Sequence, residues 1–158
     1  MTDVDYNVRI AGPEDTDEIV NLFYWMHEEN GIFALDEEKT TNFIKMATEH
    51  RHGVIGVIDG KNGMDGMICL IPDQLWYSGE WFLNEVFNFV HPDARRSTRA
   101  KSLIAFAKKM SDEMDIPLIL GVVSNYRTEA KVKLYERQFP KAGAFFIHNA
   151  AARALNHG

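Results

Sequence analysis

The dipeptide Asn62-Gly63 lies between the apolar runs VIGVI (residues 54–58) and GMICLI (66–71), and it constrains this chain more than any other feature. Both residues tolerate positive φ, so the pair reads as a tight hairpin turn that forces its flanking strands to run antiparallel. The elements around it alternate. Residues 6–10 (YNVRI) read as a short first strand. Asp15 with Glu18 three residues later offers a capping box. Ile19, Leu22, Phe23 and Met26 follow at the i, i+3, i+4, i+7 spacing of an amphipathic helix, which Asn30-Gly31 ends. A second helix starts from Asp36, with Glu37 and Glu38 near the positive end of its dipole and Phe43, Ile44 and Ala47 facing inward. Residues 81–90 (WFLNEVFNFV) read as a longer strand stopped by His91-Pro92. The next helix carries Leu103, Phe106, Ala107, Met110 and Met114 on one face. A buried strand at 117–123 (PLILGVV), a helix over 128–139 broken by Pro140, and a last strand at 144–148 (AFFIH) complete the order β, α, α, β, β, β, α, β, α, β. The two strand–helix–strand crossovers in the second half require some parallel pairing. The expected fold class is α/β, a central mixed, mostly antiparallel sheet flanked by about four helices.

A chain of 158 residues without an internal repeat, a Pro/Gly/Ser-rich linker or a composition break reads as one domain, residues 1–158. Its single cysteine, Cys69, excludes an internal disulfide and a thiolate cluster, and reads as a core strand residue. That usage, with an acidic N-terminus lacking an apolar signal core, points to the cytoplasm. No apolar run approaches the ~20 residues of a membrane helix, so no membrane association is expected. Six scattered histidines show no i, i+4 pair, so no metal is expected. Ser97 and Ser124 sit in no nucleophile-elbow sequence. Trp76, Tyr77, Trp81 and Phe82 read as core, with an acceptor pocket or the surface of a homodimer as the alternatives.

A formal net charge of −6 argues against a general nucleic-acid binder. Against that background residues 95–101 carry Arg95, Arg96, Arg99 and Lys101 and no acid. Removing these four positive charges from the total leaves −10 on the rest of the chain. The stretch FNFVHPDARRSTRAKSLIAFAKKM (87–110) runs from a strand end through this cationic loop into a helix beginning near Thr98. The first amides of a helix lack internal partners and carry the positive end of the dipole, so they form an anion site. Ser97 and Thr98 add hydroxyls, and Arg95 and Arg96 add charge-assisted donors suited to phosphate oxygens. The anion these groups suit is a pyrophosphate, and the alternative is a solvated loop.

The same stretch resembles the acyl-CoA-binding motif of the GNAT superfamily of N-acetyltransferases, Val-x-Pro-x-x-Arg/Gln-x-x-Gly-x-Gly/Ala with Leu three residues further on. It maps to Val90, Pro92, Arg95, Thr98, Ala100 and Leu103, with Thr98 standing where the family has glycine. The resemblance implies acetyl-CoA as cosubstrate, with contacts at Phe89, Val90, Arg95, Arg96, Ser97, Thr98, Arg99, Ala100, Lys101 and Asn125. It also implies a V-shaped splay between the strand ending at Val90 and the strand at 117–123, where the pantetheine arm inserts. Leu134-Tyr135, followed by Gly143-Ala144-Phe145, resembles a second family signature, in which the tyrosine protonates the departing thiolate. The family spacing Asn-x-x-Ala-x-x-Leu-Tyr is not kept by Asn125 and Ala130, and Pro140 interrupts the run that follows.

Acyl transfer to an amine needs a base for the amine proton. Glu85 lies on the strand leading into the motif, where members of the family place a glutamate. Alternation puts Glu85, Phe87 and Phe89 on one face, opposite Val86, Asn88 and Val90. The non-catalytic alternatives are an exposed or salt-bridged Glu85, and a Tyr135 packed across its helix on Phe139. The acceptor is expected beside the first two helices, where Glu28, Glu29, Asp36, Glu37 and Glu38 suggest a cationic amine such as a polyamine, aminoglycoside or lysine side chain. The expected function is an N-acyltransferase, most simply an acetyltransferase; the alternative is a non-catalytic module of the same fold that keeps CoA. A small RNA-binding protein is disfavoured by the −10 outside the loop.

Overall fold

The computed structural model describes residues 6–124 and 126–148. The chain opens on a two-residue strand, β1 (Arg9–Ile10), followed by two helices, α1 (Thr16–Asn30) and α2 (Glu37–Thr48). A hairpin of β2 (Val54–Gly60) and β3 (Gly63–Asp73) leads to β4 (Phe82–Val90). Then come α3 (Arg99–Met114), β5 (Leu118–Ile119) and α4 (Thr128–Glu136), with 3-10 turns at Pro13–Asp15 and Pro92–Ala94. The strands form one sheet in the order β1-β2-β3-β4-β5, antiparallel throughout except for the parallel pair β4–β5. The expected α/β class with a mixed, mostly antiparallel sheet and four helices is the class observed.

Local chemistry moves several boundaries. The first strand is shorter than 6–10 because Tyr6 is held by α3: its backbone N–H donates to Ser102 Oγ at 3.1 Å, and its ring lies 4.1 Å from the Arg99 guanidinium carbon. In the hairpin Gly60 pairs with Gly63, so the turn residues are Lys61 and Asn62, one earlier than expected. Only Gly63 takes the positive φ, at 121°, as the first residue of β3. The Asp15–Glu18 capping box does not form. Asp15 accepts two bonds from the Arg9 guanidinium, at 2.8 and 2.9 Å, and one from the Gly12 N–H at 2.9 Å. A bidentate charged donor outcompetes a helix amide for the carboxylate, and it holds Asp15 below the usual carboxylate range. Glu18 instead accepts from the Met64 N–H at 3.1 Å, tying α1 to the hairpin. The start of α2 is as expected, with Asp36 Oδ1 accepting from the Lys39 N–H at 3.0 Å.

The sheet is covered on both faces. Ile19, Leu22, Ile44 and Ala47 of α1 and α2 pack on Ile55, Val57, Met67, Cys69, Phe87 and Phe89. On the opposite face Leu103 and Ala107 of α3 pack on Ile58, Ile68, Leu70 and Leu83. Each fully buried Leu or Ile contributes roughly 1.5–3 kcal/mol by leaving water. Met114, expected inside, is 48% exposed, whereas Ile104, not expected inside, is fully buried.

Four further expectations are overturned. Trp76, Tyr77 and Trp81 are not core, since the loop between β3 and β4 holds them in solvent and leaves Trp76 95% exposed. Residues 144–148 form no strand and leave Phe145 and Phe146 exposed, because the sheet edge on that side, β5, offers only two residues for pairing. The strand expected over 117–123 is correspondingly reduced to Leu118–Ile119. Past Glu136 the chain turns instead of continuing α4, with the Gln138 and Phe139 amides both donating to the Tyr135 carbonyl. Among the described residues no helix is long and apolar enough to cross a membrane, and no group of three His, Cys, Asp or Glu side chains is placed to hold a metal ion.

Candidate active site

The site is built on an irregularity in β4. Cys69 pairs with Phe87 but Leu70 pairs with Glu85, so Val86 is an extra residue and β4 bulges. Strict alternation would put Leu83 and Phe87 on one face. Instead Leu83 belongs to the layer under α3, whereas Phe87 and Phe89 belong to the layer under α1 and α2. Glu85 stands at the switch. The expected separation of Glu85 from Asn88 by alternation therefore does not hold, because both side chains reach one hydroxyl. Tyr135 of α4 donates to Glu85 Oε2 at 3.0 Å, and Asn88 Nδ2 donates to the Tyr135 hydroxyl at 3.3 Å.

Glu85 is buried, neither an exposed strand residue nor the partner of an ion pair in the structure's described salt bridges. Burial pushes its carboxyl up to about 7, against the hydrogen bonds from Tyr135 and from the Gly121 N–H, which favour the anion. Burial and the Glu85 charge push the Tyr135 hydroxyl up as well, so it keeps its proton at neutral pH. The pairing of β4 with β5 stops at Asn84–Ile119, and two residues further the Gly121 amide turns to Glu85. Nothing lies within 4 Å of where a Cβ on Gly121 would sit, so the space over that residue's backbone is open.

The cationic loop is less free than its local sequence suggests, because acids distant in the chain reach it. Arg95 donates to Glu29 at 2.8 Å and to the Val90 carbonyl at 3.1 Å, with its guanidinium 5.3 Å from the Phe89 ring centroid. Arg99 pairs with Asp65 at 3.0 Å and also donates to the Ala94 carbonyl. Arg96 is exposed and takes φ 63°, the left-handed region. Ser97 Oγ donates to the Ala94 carbonyl at 2.8 Å and accepts from the Arg99 N–H at 3.3 Å. Thr98 is the N-cap of α3, Ala100 is half-buried in its first turn, and Lys101 is exposed. The loop and the hairpin tip enclose a cleft of about 770 Å³ in which Lys61, His91 and the arginines face Asp59, Asp65 and Asp93. Asn125 lies outside the described residues.

Sequence reasoning named Glu85 and Tyr135, and the fold brings them into contact. It missed Asn88 and the Gly121 amide. Asn88 carries one signal, a polar side chain in the apolar run VFNFV, while the amide carries none. A second cleft, of about 470 Å³, opens between the end of α1, the start of α2 and Val123. Of the five acids expected to surround the acceptor only Asp36 lines it.

No protein-family model matches this chain, and no curated protein matches it in sequence. Solved structures do match over nearly its whole length. A possible acetyltransferase from Clostridium difficile 630 superposes with a TM-score of 0.71 at 18% identity, covering 93% of this chain and 98% of its own. A GNAT family acetyltransferase from Staphylococcus aureus gives 0.64 at 13% identity, covering 93% and 100%. An aminoglycoside acetyltransferase from an uncultured soil metagenomic sample, solved in complex with sisomicin, gives 0.66 at 13% identity, covering 92% and 95%. The chain has the GNAT fold.

Proposed function

We propose that residues 1–158 form one acyl-CoA-binding domain that transfers an acetyl group from acetyl-CoA to a primary amine by direct attack. The observation that carries this reading is the 3.0 Å contact between a buried carboxyl and a protonated phenol at the point where β4 and β5 part. The end of the β4–β5 pairing and the amides at the start of α3 suit an extended amide-bearing arm ending in a pyrophosphate. In this reading Phe89, Val90, Arg96, Ser97, Thr98, Ala100, Lys101 and Asn125 contact the cosubstrate. Arg95 and Arg99 hold the loop through Glu29 and Asp65 and contribute field.

Acetyl-CoA supplies the thioester carbonyl and a thiolate leaving group. Glu85 takes the amine proton, and an ionisation near neutrality matches a base working at neutral pH. Tyr135 gives its proton to the thiolate and recovers one from Glu85 across their hydrogen bond, so for a neutral amine the pair ends with the protons it began with. Asn88 holds the phenol oxygen in place throughout. Cys69 takes no part, as its thiol is buried and pushed up to about 12. In this reading the protein works in the cytoplasm, where a lone thiol stays reduced.

Thiol release with acetyl-CoA and a panel of amines tests the reading. Tyr135→Phe lowers kcat roughly 10²–10⁴-fold while acetyl-CoA affinity changes little. Full turnover in both Tyr135→Phe and Glu85→Gln overturns the assignment. The internal pairing of Arg95 and Arg99 favours the second reading, a non-catalytic module of this fold, and acetyl-CoA binding without acetylation of any amine supports it.

A further inference from the structure

The cleft between α1 and α2 has the wrong chemistry for the polycations that local charge suggested. Glu29 is held by Arg95 at 2.8 Å, and Glu28, Glu37 and Glu38 are exposed and line no part of it. Asp36, the one acid present, spends an oxygen on the Lys39 N–H and lies in the lining beside the Lys39 side chain. The apolar walls are Phe23, Met26, Ile32, Phe33, Leu35 and Val123, and Asn30 and Thr40 also line the cleft. His27 fixes one of them, since its Nε2 is 2.7 Å from the Phe33 carbonyl.

The cleft borders elements that carry the chemistry. Val123 follows, by two residues, the Gly121 whose amide holds the Glu85 carboxyl. Phe23 packs edge-on against Phe87, two residues along β4 from Glu85, with ring centroids 5.5 Å apart. Mainly apolar walls around about 470 Å³ select an apolar body, and the polar groups among them orient it by its polar end. We propose, resting on the acetyltransferase reading above, that this cleft seats the acceptor and that the acceptor is a small primary amine bearing an aryl or branched alkyl group.

Two measurements on the intact protein test this. In saturation-transfer NMR without acetyl-CoA, phenethylamine takes up signal and spermidine does not. Val123→Asp and Phe33→Ala, both at exposed positions that leave the core intact, reduce that transfer about fivefold or more. In thiol-release assays phenethylamine exceeds spermidine and kanamycin in kcat/KM by about tenfold or more, and the two variants raise KM with kcat nearly unchanged. Preference for spermidine or kanamycin overturns the proposal, as does phenethylamine transfer unchanged in both variants. Transfer that the variants abolish, with no thiol release from any amine, upholds the apolar cleft and overturns the acetyltransferase reading instead.

Discussion

Replacing Glu85 with Gln tests the buried carboxyl without any ligand. Its folded pKa is pushed up to about 7 by burial, from an ordinary value of 4.5. Between these values the folded protein holds a proton that the unfolded chain has lost, so stability present below pH 4.5 is lost as pH rises through 7. For one group with those two pKa values, linkage gives a loss of about 2.5 kcal/mol between pH 5 and pH 8. Glu85→Gln is neutral at every pH and loses nothing. Other groups titrate equally in both proteins, so the quantity to read is the difference in unfolding free energy between variant and wild type, from urea denaturation at the two pH values. That difference moves by about 2.5 kcal/mol in favour of the variant on going from pH 5 to pH 8. A difference constant to within about 0.5 kcal/mol refutes the argument, because it means the carboxyl is solvated and ordinary. The same titration governs the proposed base, whose ionised fraction rises from about one-tenth at pH 6 to about nine-tenths at pH 8.

Asn88→Ala removes the donor that holds the Tyr135 oxygen, and lowers kcat about tenfold with acetyl-CoA affinity unchanged, read by thiol release and calorimetry. Arg9→Ala breaks the pairs with Asp15 and Asp59 and costs about 1–3 kcal/mol at neutral pH by urea denaturation. Because Arg9 holds both carboxyls down, that cost is present above the ordinary carboxylate range and disappears as pH falls through their lowered folded values. Arg96→Gly relieves a left-handed backbone and leaves stability unchanged or up to about 1 kcal/mol higher, while weakening acetyl-CoA binding through lost charge.

The first three helices were legible because each writes its buried face as a local period: Ile19 and Leu22 in α1, Ile44 and Ala47 in α2, Leu103 and Ala107 in α3. The hairpin was legible from its turn chemistry, with an error of one residue. What escaped is what depends on partners far along the chain. Arg95 and Glu29 are 66 residues apart and Arg99 and Asp65 are 34 apart, so a loop with no local acid is nonetheless paired. The bulge at Val86 has no local signature, since it arises from the register of β3 on β4. Glu85 and Tyr135 could be named from motifs, but their contact spans 50 residues and emerges only when α4 packs beside β4. The aromatic residues of the β3–β4 loop and residues 144–148 show the converse failure, apolar composition without a surface to bury it.

Calorimetric titration with acetyl-CoA tests the central claim most directly. The account predicts saturable binding to the folded protein at one site per chain, weakened by Arg96→Ala and more strongly so at low salt, where the charge is least screened. No detectable heat at millimolar acetyl-CoA, from a sample shown by circular dichroism to be folded, contradicts it.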